Sequence, residues 1–249
     1  MTAAIVGYGI VGRATHLSLY QNSEDVVTVD ADTVRDFDAA KHDIIYICVP
    51  TSTHDDLLEL TALVRRFRSE APNAVVCIRS SVPVGYISHD LADVNDHIVY
   101  LPEFLRERRW QQDCQNNAWV IGSNHGLHNK IPIQDDRPRY TTGIAEAEVL
   151  KMMVNSYAAL RVVFANHVHD LAQAYGAQYT SVEKIYDAIQ LRDQNYLQVN
   201  PELRGFGGKC LPKDLDFLIG SFARAGLPQT LFDSVRDDNA RWPTTVRKN

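Results

Sequence analysis

The chain has 249 residues, 45% hydrophobic and 22% charged, which suits a soluble globular protein with one large or two modest domains. A net charge of -6 without a concentrated basic patch argues against a nucleic-acid partner, and "RERRW" (106–110) reads as solvated surface. No stretch approaches about 18 uninterrupted apolar residues, so no membrane span is expected, and four scattered cysteines without ligand or paired spacing imply no metal and free thiols in a reducing cytoplasm.

Met1 leads straight into a strand-like run, without the basic and apolar regions of a secretory leader. AAIVGYG (3–9) reads as a buried strand, IVGRATHLSLYQ after it has helical spacing, and VVTVD (26–30) is a second strand. DIIYICVP (43–50) is a third. THDDLLELTALVRRF is helical, with Thr53 as N-cap and two acids in its first turn. AVVCI (74–78) and HIVYLP (97–102) are the fourth and fifth strands, and AWVIG (118–122) is a candidate sixth. SNHGLHNKIPIQDDRPRY reads as a polar loop. Fully apolar strands alternating with helices predict an α/β fold with a mostly parallel sheet covered on both faces. From Ala145 a single long helix runs to a glycine stop at Gly176. SVEKIYDAIQ, LDFLIGSFARAG and QTLFDSVRDDNARW are further helices. The expected organisation is an α/β domain over 1–144 and an all-helical domain over 145–249.

Gly7-Tyr8-Gly9-Ile10-Val11-Gly12 matches GxGxxG between a strand and a helix, and Asp30 ends the next strand. Gly7 permits the tight turn, Gly9 lets a pyrophosphate approach the backbone, and Gly12 lets helix and strand pack closely. A carboxylate at Asp30 suits ribose hydroxyls and repels a 2'-phosphate, so NAD is expected rather than NADP. These residues predict a Rossmann-like domain. CVPTST (48–53) and RSSVPVG (79–85) also fall at strand carboxyl ends, where open parallel sheets bind ligands, although ordinary capping also uses Ser and Thr.

Glu148, Lys151 and Asn155 share one face of the long helix, among apolar neighbours. On spacing alone they read as a solvated stripe with a weak Glu–Lys pair. Glu103 and Glu107 follow the fifth strand and, on a helix, would share a face as cap and surface charges or as acid and base. In GFGGKCLPKD (205–214), Pro212 suits the first turn of a helix. Cys210 just before it is either a nucleophile activated by the helix N-terminus and Lys213, or a small buried hydrophobe.

The sequence resembles the UDP-glucose/GDP-mannose dehydrogenases. GYGIVG, CVPT, SSVPVG, PEFLRE, EAEVLKMMVNSYAALRVVFANH and GFGGKCLPKD recur in the family's order, from about Ile5 to about Asn239. The resemblance implies four-electron oxidation of a sugar C6 alcohol to a carboxylate with two NAD. It implies that Cys210 carries the thiohemiacetal and thioester, that Lys151 and Asn155 stabilise the oxyanion, and that Asp214 orients water with the lysine. Glu103 and Glu107 would serve water activation, proton transfer and substrate placement. Ser81 stands for a family threonine that helps proton transfer. By the same resemblance Gly7, Gly9, Ile10, Val11, Gly12, Asp30, Val49, Pro50, Thr51, Ser80, Ser81 and Lys213 hold NAD. Phe104, Leu105, Glu107, Lys151, Asn155, Phe206, Gly207 and Gly208 meet the substrate, and the long helix forms a homodimer core.

Three departures accompany the match. The family's long insert between Asp30 and Asp43 is cut to a short link. A family arginine sixteen residues before the cysteine is replaced by Gln194, with Arg192 out of register. The family's second α/β domain, which closes over the sugar nucleotide, is expected to be missing after LFDSVRDDNARW, leaving open what replaces it. The expectation is an NAD-dependent UDP-glucose 6-dehydrogenase activity. The alternatives are a GDP-mannose 6-dehydrogenase, a two-electron hydroxyacid dehydrogenase that leaves Cys210 idle, and a non-catalytic or half-enzyme NAD-binding chain.

Overall fold

The computed structural model describes residues 1–21, 25–30, 33–174, 176–189, 204–224, 226 and 229–244. Arg192 and Gln194 lie outside them. Two compact units divide the chain, Met1–Lys151 and Met152–Asn249. The division falls within the long helix, whereas the boundary expected from sequence stood at its start.

In the first unit, strand β1 (Ala3–Val6) leads through the glycine turn into helix α1 (Ile10–Leu19), and β2 (Val26–Val29) and β3 (Ile44–Ile47) follow. Helix α2 (His54–Glu70) begins as the sequence predicts. The Thr53 hydroxyl accepts from Asp56 N, and the Asp56 carboxylate accepts from Thr53 N, a reciprocal capping box. Leu60, Val64 and Phe67 recur at helical spacing and are fully buried, each contributing about 1.5–3 kcal/mol by burial. Then come β4 (Val75–Ile78), β5 (Ile98–Tyr100), α3 (Trp110–Asn116), β6 (Trp119–Gly122) and β7 (Arg139–Thr142).

The seven strands form one sheet in the order β2-β1-β3-β4-β5-β6-β7. All neighbours are parallel except β5 and β6. Apolar cores cover both faces, as the unbroken apolar strands predict: Ala4, Ile45, Val76 and Tyr100 point one way, and Ile5, Tyr46, Cys77 and Val99 the other. The chain goes from β1 outward to β2 and returns to β3, so the strand order reverses between β1 and β3. That reversal opens a crevice at the carboxyl edge, where such sheets bind ligands. The link from Asp30 to Asp43 contains two short turns, Val34–Asp36 and Ala39–Lys41. One expectation needs correction: the tail of the polar stretch 123–140 is not loop but the start of β7. Its first three residues are exposed, so no buried face marked it in the sequence.

Helix α4 (Ile144–Ala174) passes from the first unit into the second, and Gly176 adopts the left-handed conformation (φ 69°) of a helix stop. Helices α5 (Tyr179–Ile189), α6 (Leu211–Arg224) and α7 (Thr230–Asn239) complete the second unit. Ala159, Val163, Phe206, Leu215, Ile219, Val235 and Trp242 form its core. The loop before α6 is tied down on both sides of Phe206. The Asn239 side-chain amide accepts from Phe206 N at 2.7 Å and donates to Phe206 O at 2.9 Å, and Gly205 N donates to Pro243 O.

Candidate active site

The glycine turn of the first unit has the shape its residues predict. Gly7 has φ 90°, and a Cβ there would meet Cys48 O at 2.6 Å. A Cβ on Gly12 would strike Gly7 O, whereas one on Gly9 would project into open space. Gly9 is also the N-cap of α1 and gives it no side-chain cap, so the first-turn N–H groups are left for an anion. Asp30 is exposed beside this turn, and its Oδ1 accepts from Tyr8 N at 3.1 Å. These features fit a dinucleotide: a bare approach at Gly9, a helix N-terminus and an acid at the next strand end.

The two neighbouring loops are joined to each other. Thr51 Oγ1 donates to Ser81 O at 2.7 Å, and Ser80 Oγ donates to Val49 O at 2.7 Å. Thr51 and Ser80 therefore brace the carboxyl edge with their protons and keep only acceptor capacity for a ligand. Val49 is half-buried and Pro50 exposed at the tip of the first loop, and Ser81 is buried in the second.

The polar stripe on α4 is not solvated. Glu148 is fully buried and Lys151 is 2% exposed, and each reaches partners outside the helix. Lys151 Nζ donates to Glu103 O at 2.7 Å and to Glu103 Oε1 at 3.0 Å. Glu103 Oε2 accepts from Leu105 N at 2.6 Å, and Phe104 turns its ring toward the ammonium at 5.7 Å. Burial opposes the charge on Glu103. The Lys151 ammonium, the Leu105 N–H and the Arg79 charge outweigh that penalty and hold its carboxyl below the usual carboxylate range. Glu148 instead grips the loop after β4: Oε2 accepts from Gly85 N at 2.8 Å and Oε1 from Ile87 N at 3.0 Å. The expected common face for Glu103 and Glu107 does not form. Glu103 sits in extended chain braced by Lys151, while Glu107 is exposed on the single turn Glu107–Arg109.

In the second unit, Asn155 Nδ2 donates to Asp214 Oδ2, and Lys213 Nζ lies 3.5 Å from Asp214 Oδ1. Asp214 is fully buried in the first turn of α6, where its N–H donates to Cys210 O at 2.8 Å. Cys210 is exposed immediately before that helix, with Pro212 in the first turn as predicted. The other three cysteines are buried. The buried-hydrophobe alternative for Cys210 is thereby removed. Gly208 has φ 79° and open space where a side chain would stand, Gly207 is half-buried, and Phe206 is buried in the core.

Each unit thus gathers part of the expected set: Glu103 with Lys151 in the first, and Asn155, Lys213 and Asp214 beside Cys210 in the second. The sequence carries no sign of the inward grip of Glu148, and it places Arg79 in the RSSVPVG loop without a role of its own. Arg79 continues the strand alternation of Val75 and Cys77, and that inward register was the available signal.

Residues 145–241 match the central-domain model of the UDP-glucose/GDP-mannose dehydrogenase family. The chain is 30% identical over 186 residues to the UDP-glucose 6-dehydrogenase of Rickettsia conorii, covering 70% of this chain and 42% of that protein. It is 27% identical over 224 residues to the UDP-glucose 6-dehydrogenase of Streptococcus pneumoniae, covering 79% and 54%. It thus spans about half the length of these curated relatives. In fold it is similar to the UDP-D-ManNAc dehydrogenase of Pyrococcus horikoshii, with a TM-score of 0.81 at 21% identity, covering 97% of this chain and 68% of that one. Residues 145–241 are thus the part of the chain that carries the likeness to the UDP-glucose/GDP-mannose dehydrogenase family.

Proposed function

We propose that the chain carries the NAD-binding and catalytic parts of a nucleotide-sugar 6-dehydrogenase that converts UDP-glucose to UDP-glucuronate. The observation that carries this reading is the exposed Cys210 at the start of α6, beside the Asn155–Lys213–Asp214 cluster, inside the stretch that matches the family.

Bound NAD would supply the hydride acceptor for both oxidations. Gly7, Gly9 and Gly12 leave its phosphates room at the N-terminus of α1, and Asp30 would take the ribose hydroxyls. The C6 alcohol loses a hydride and a proton to give an aldehyde. Cys210 Sγ then adds to the aldehyde carbon, and the helix N-terminus behind it favours negative charge at sulfur. Loss of a second hydride from C6 leaves a thioester. Water attacks that carbonyl, the C–S bond breaks, and the thiol is regenerated with a carboxylate as product. Lys151 and Asn155 would donate to the oxygen that becomes negative in the addition steps. Asp214 and Glu103 would orient and deprotonate water, with Glu107 placing substrate and Ser81 passing protons.

A homodimer through α4 is part of the proposal. Val149, Leu150, Met153, Val154 and Tyr157 are each 40–50% exposed along that helix, an apolar face of the sort that partner chains cover. Four free cysteines and the absence, among the described residues, of a helix fit to cross a membrane support a cytoplasmic setting.

The test is NADH formation by the purified chain across UDP- and GDP-sugars. The expected result is two NADH per UDP-glucose, abolished by Cys210→Ala. One NADH per sugar with Cys210→Ala fully active would instead mark a two-electron dehydrogenase. NAD binding with no sugar-nucleotide binding in calorimetry would mark a non-catalytic chain.

A further inference from the structure

Arg79 has no place in the scheme above, and its surroundings are unusual for a structural arginine. It is 4% exposed at the carboxyl end of β4. Its backbone is fixed, with its N–H donating to Ile47 O at 2.9 Å and the next residue, Ser80, bonded to Val49 O. The guanidinium lies 5.7 Å from the centre of the Trp119 ring. Nε and Nη1 are buried and, among the described residues, have no hydrogen-bond partner. Arg137 packs on the same indole at 4.4 Å, but it is paired with Asp135 at 2.6 Å.

The groups near enough to Arg79 to feel its charge do not neutralise it. Burial pushes the Cys48 thiol up to about 11, pushes the Cys77 thiol higher still and raises the Tyr46 phenol, so all three are neutral at pH 7. Glu103 is ionised, but Lys151 already holds it at 3.0 Å. Another buried carboxylate of this unit, Glu148, accepts from Gly85 N and Ile87 N, so Arg79 Nε and Nη1 remain unsatisfied cationic donors at the edge of the sheet where ligands bind. An unpaired buried cation opposes folding. Retaining one there has a physical reason if an anion arrives to meet it.

We propose that Arg79 is a carboxylate-binding residue, whose buried donors take the oxygens of a ligand carboxylate at the carboxyl edge of β4 and β5. Guanidinium groups match carboxylates in shape and charge, and the preference for an anion follows from the two unsatisfied donors of a buried guanidinium. The identity of the carboxylate rests on the reading above: it is the group that oxidation of C6 creates. Arg79 would then hold product more tightly than the neutral alcohol.

Acetate and acetamide share a shape and differ in charge, so they separate anion binding from cavity filling. Calorimetry at constant ionic strength should show saturable acetate binding to the wild-type chain and none of acetamide. Arg79→Met should weaken acetate at least tenfold, with Arg79→Lys in between. Arg79→Met should also melt close to wild type, since Lys151 still holds Glu103 and the guanidinium Nε and Nη1 make no hydrogen bond to lose. Equal acetate binding by wild type and Arg79→Met, or a lower melting temperature of that variant with no wild-type acetate binding, overturns the proposal. A second measurement isolates the ligand's identity: inhibition by UDP-glucuronate should weaken at least tenfold in Arg79→Met, with KM for NAD unchanged. If acetate responds as expected and UDP-glucuronate does not, the carboxylate site stands and the assigned product fails.

Discussion

Glu103 and Lys151 hold opposite charges in a nearly water-free place, so each depends on the other. Removing one partner of such a pair leaves the other buried and uncompensated, at a cost of about 3–5 kcal/mol. Glu103→Ala should therefore lower the urea midpoint sharply, with an unchanged slope. The pH dependence has a definite sign. The folded carboxyl lies below its ordinary value of 4.5, so the folded state binds the proton more weakly than the unfolded chain does. The resulting stability is fully present above the unfolded value and is lost as pH falls through the folded one. The midpoint difference between wild type and Glu103→Gln should thus shrink as pH drops from about 6 to about 3. A constant difference would show that the charge contributes nothing. At the glycine turn, Gly7→Ala forces a Cβ against Cys48 O and asks alanine to hold φ 90°, a conformation L side chains rarely adopt. Weakened NAD binding by calorimetry, together with a lower melting temperature, is the expected outcome. The glycine roles were legible in sequence because each is a local steric fact. The roles of Glu148 and Arg79 were not, because they depend on which neighbours arrive from elsewhere in the chain.

Helix α4 shows where pattern reading fails and why. Its polar residues Glu148 and Lys151 point inward, and its apolar residues Val149, Leu150, Met153 and Val154 point outward. Spacing reveals a stripe but not which side of the stripe meets protein, and an apolar exterior reverses the usual inference. The inward side has a mechanical task. Glu148 fastens the segment carrying Ser80 and Ser81, through Gly85 N and Ile87 N, to the helix that carries Lys151. Glu148→Ala leaves the buried Ile87 N–H unsatisfied, at about 1–3 kcal/mol, and frees the half-buried Gly85 N–H. Hydrogen exchange should speed up at the Gly85 and Ile87 amides far more than at the amides of β4, whereas uniform acceleration would indicate global destabilisation instead. Among the strands, β1 to β5 were legible because both faces of each are covered except at the exposed edge β2. The reversed direction of β6 was not, because an apolar run carries no sign of polarity.

On the scale of the whole molecule, each unit has its own core and its own share of the expected chemistry. The α/β-then-helical order was readable from the shift in periodicity at Ala145. The exact division was not, since one uninterrupted helix serves both units. The apolar exterior of that helix predicts self-association: light scattering should give twice the chain mass, and Met153→Glu should reduce it to one. A wild-type mass of a single chain would remove the dimer. The cysteines have a practical consequence. Cys48 and Cys77 are kept protonated by burial, Cys114 is enclosed, and Cys210 faces water. A maleimide dye at neutral pH should therefore attach once per native chain, and mass spectrometry should find it on the peptide holding Cys210. The folded protein thus carries a single natural labelling address, and a fluorophore placed there would count chains in an assembly and brighten or dim as ligands reach the loop.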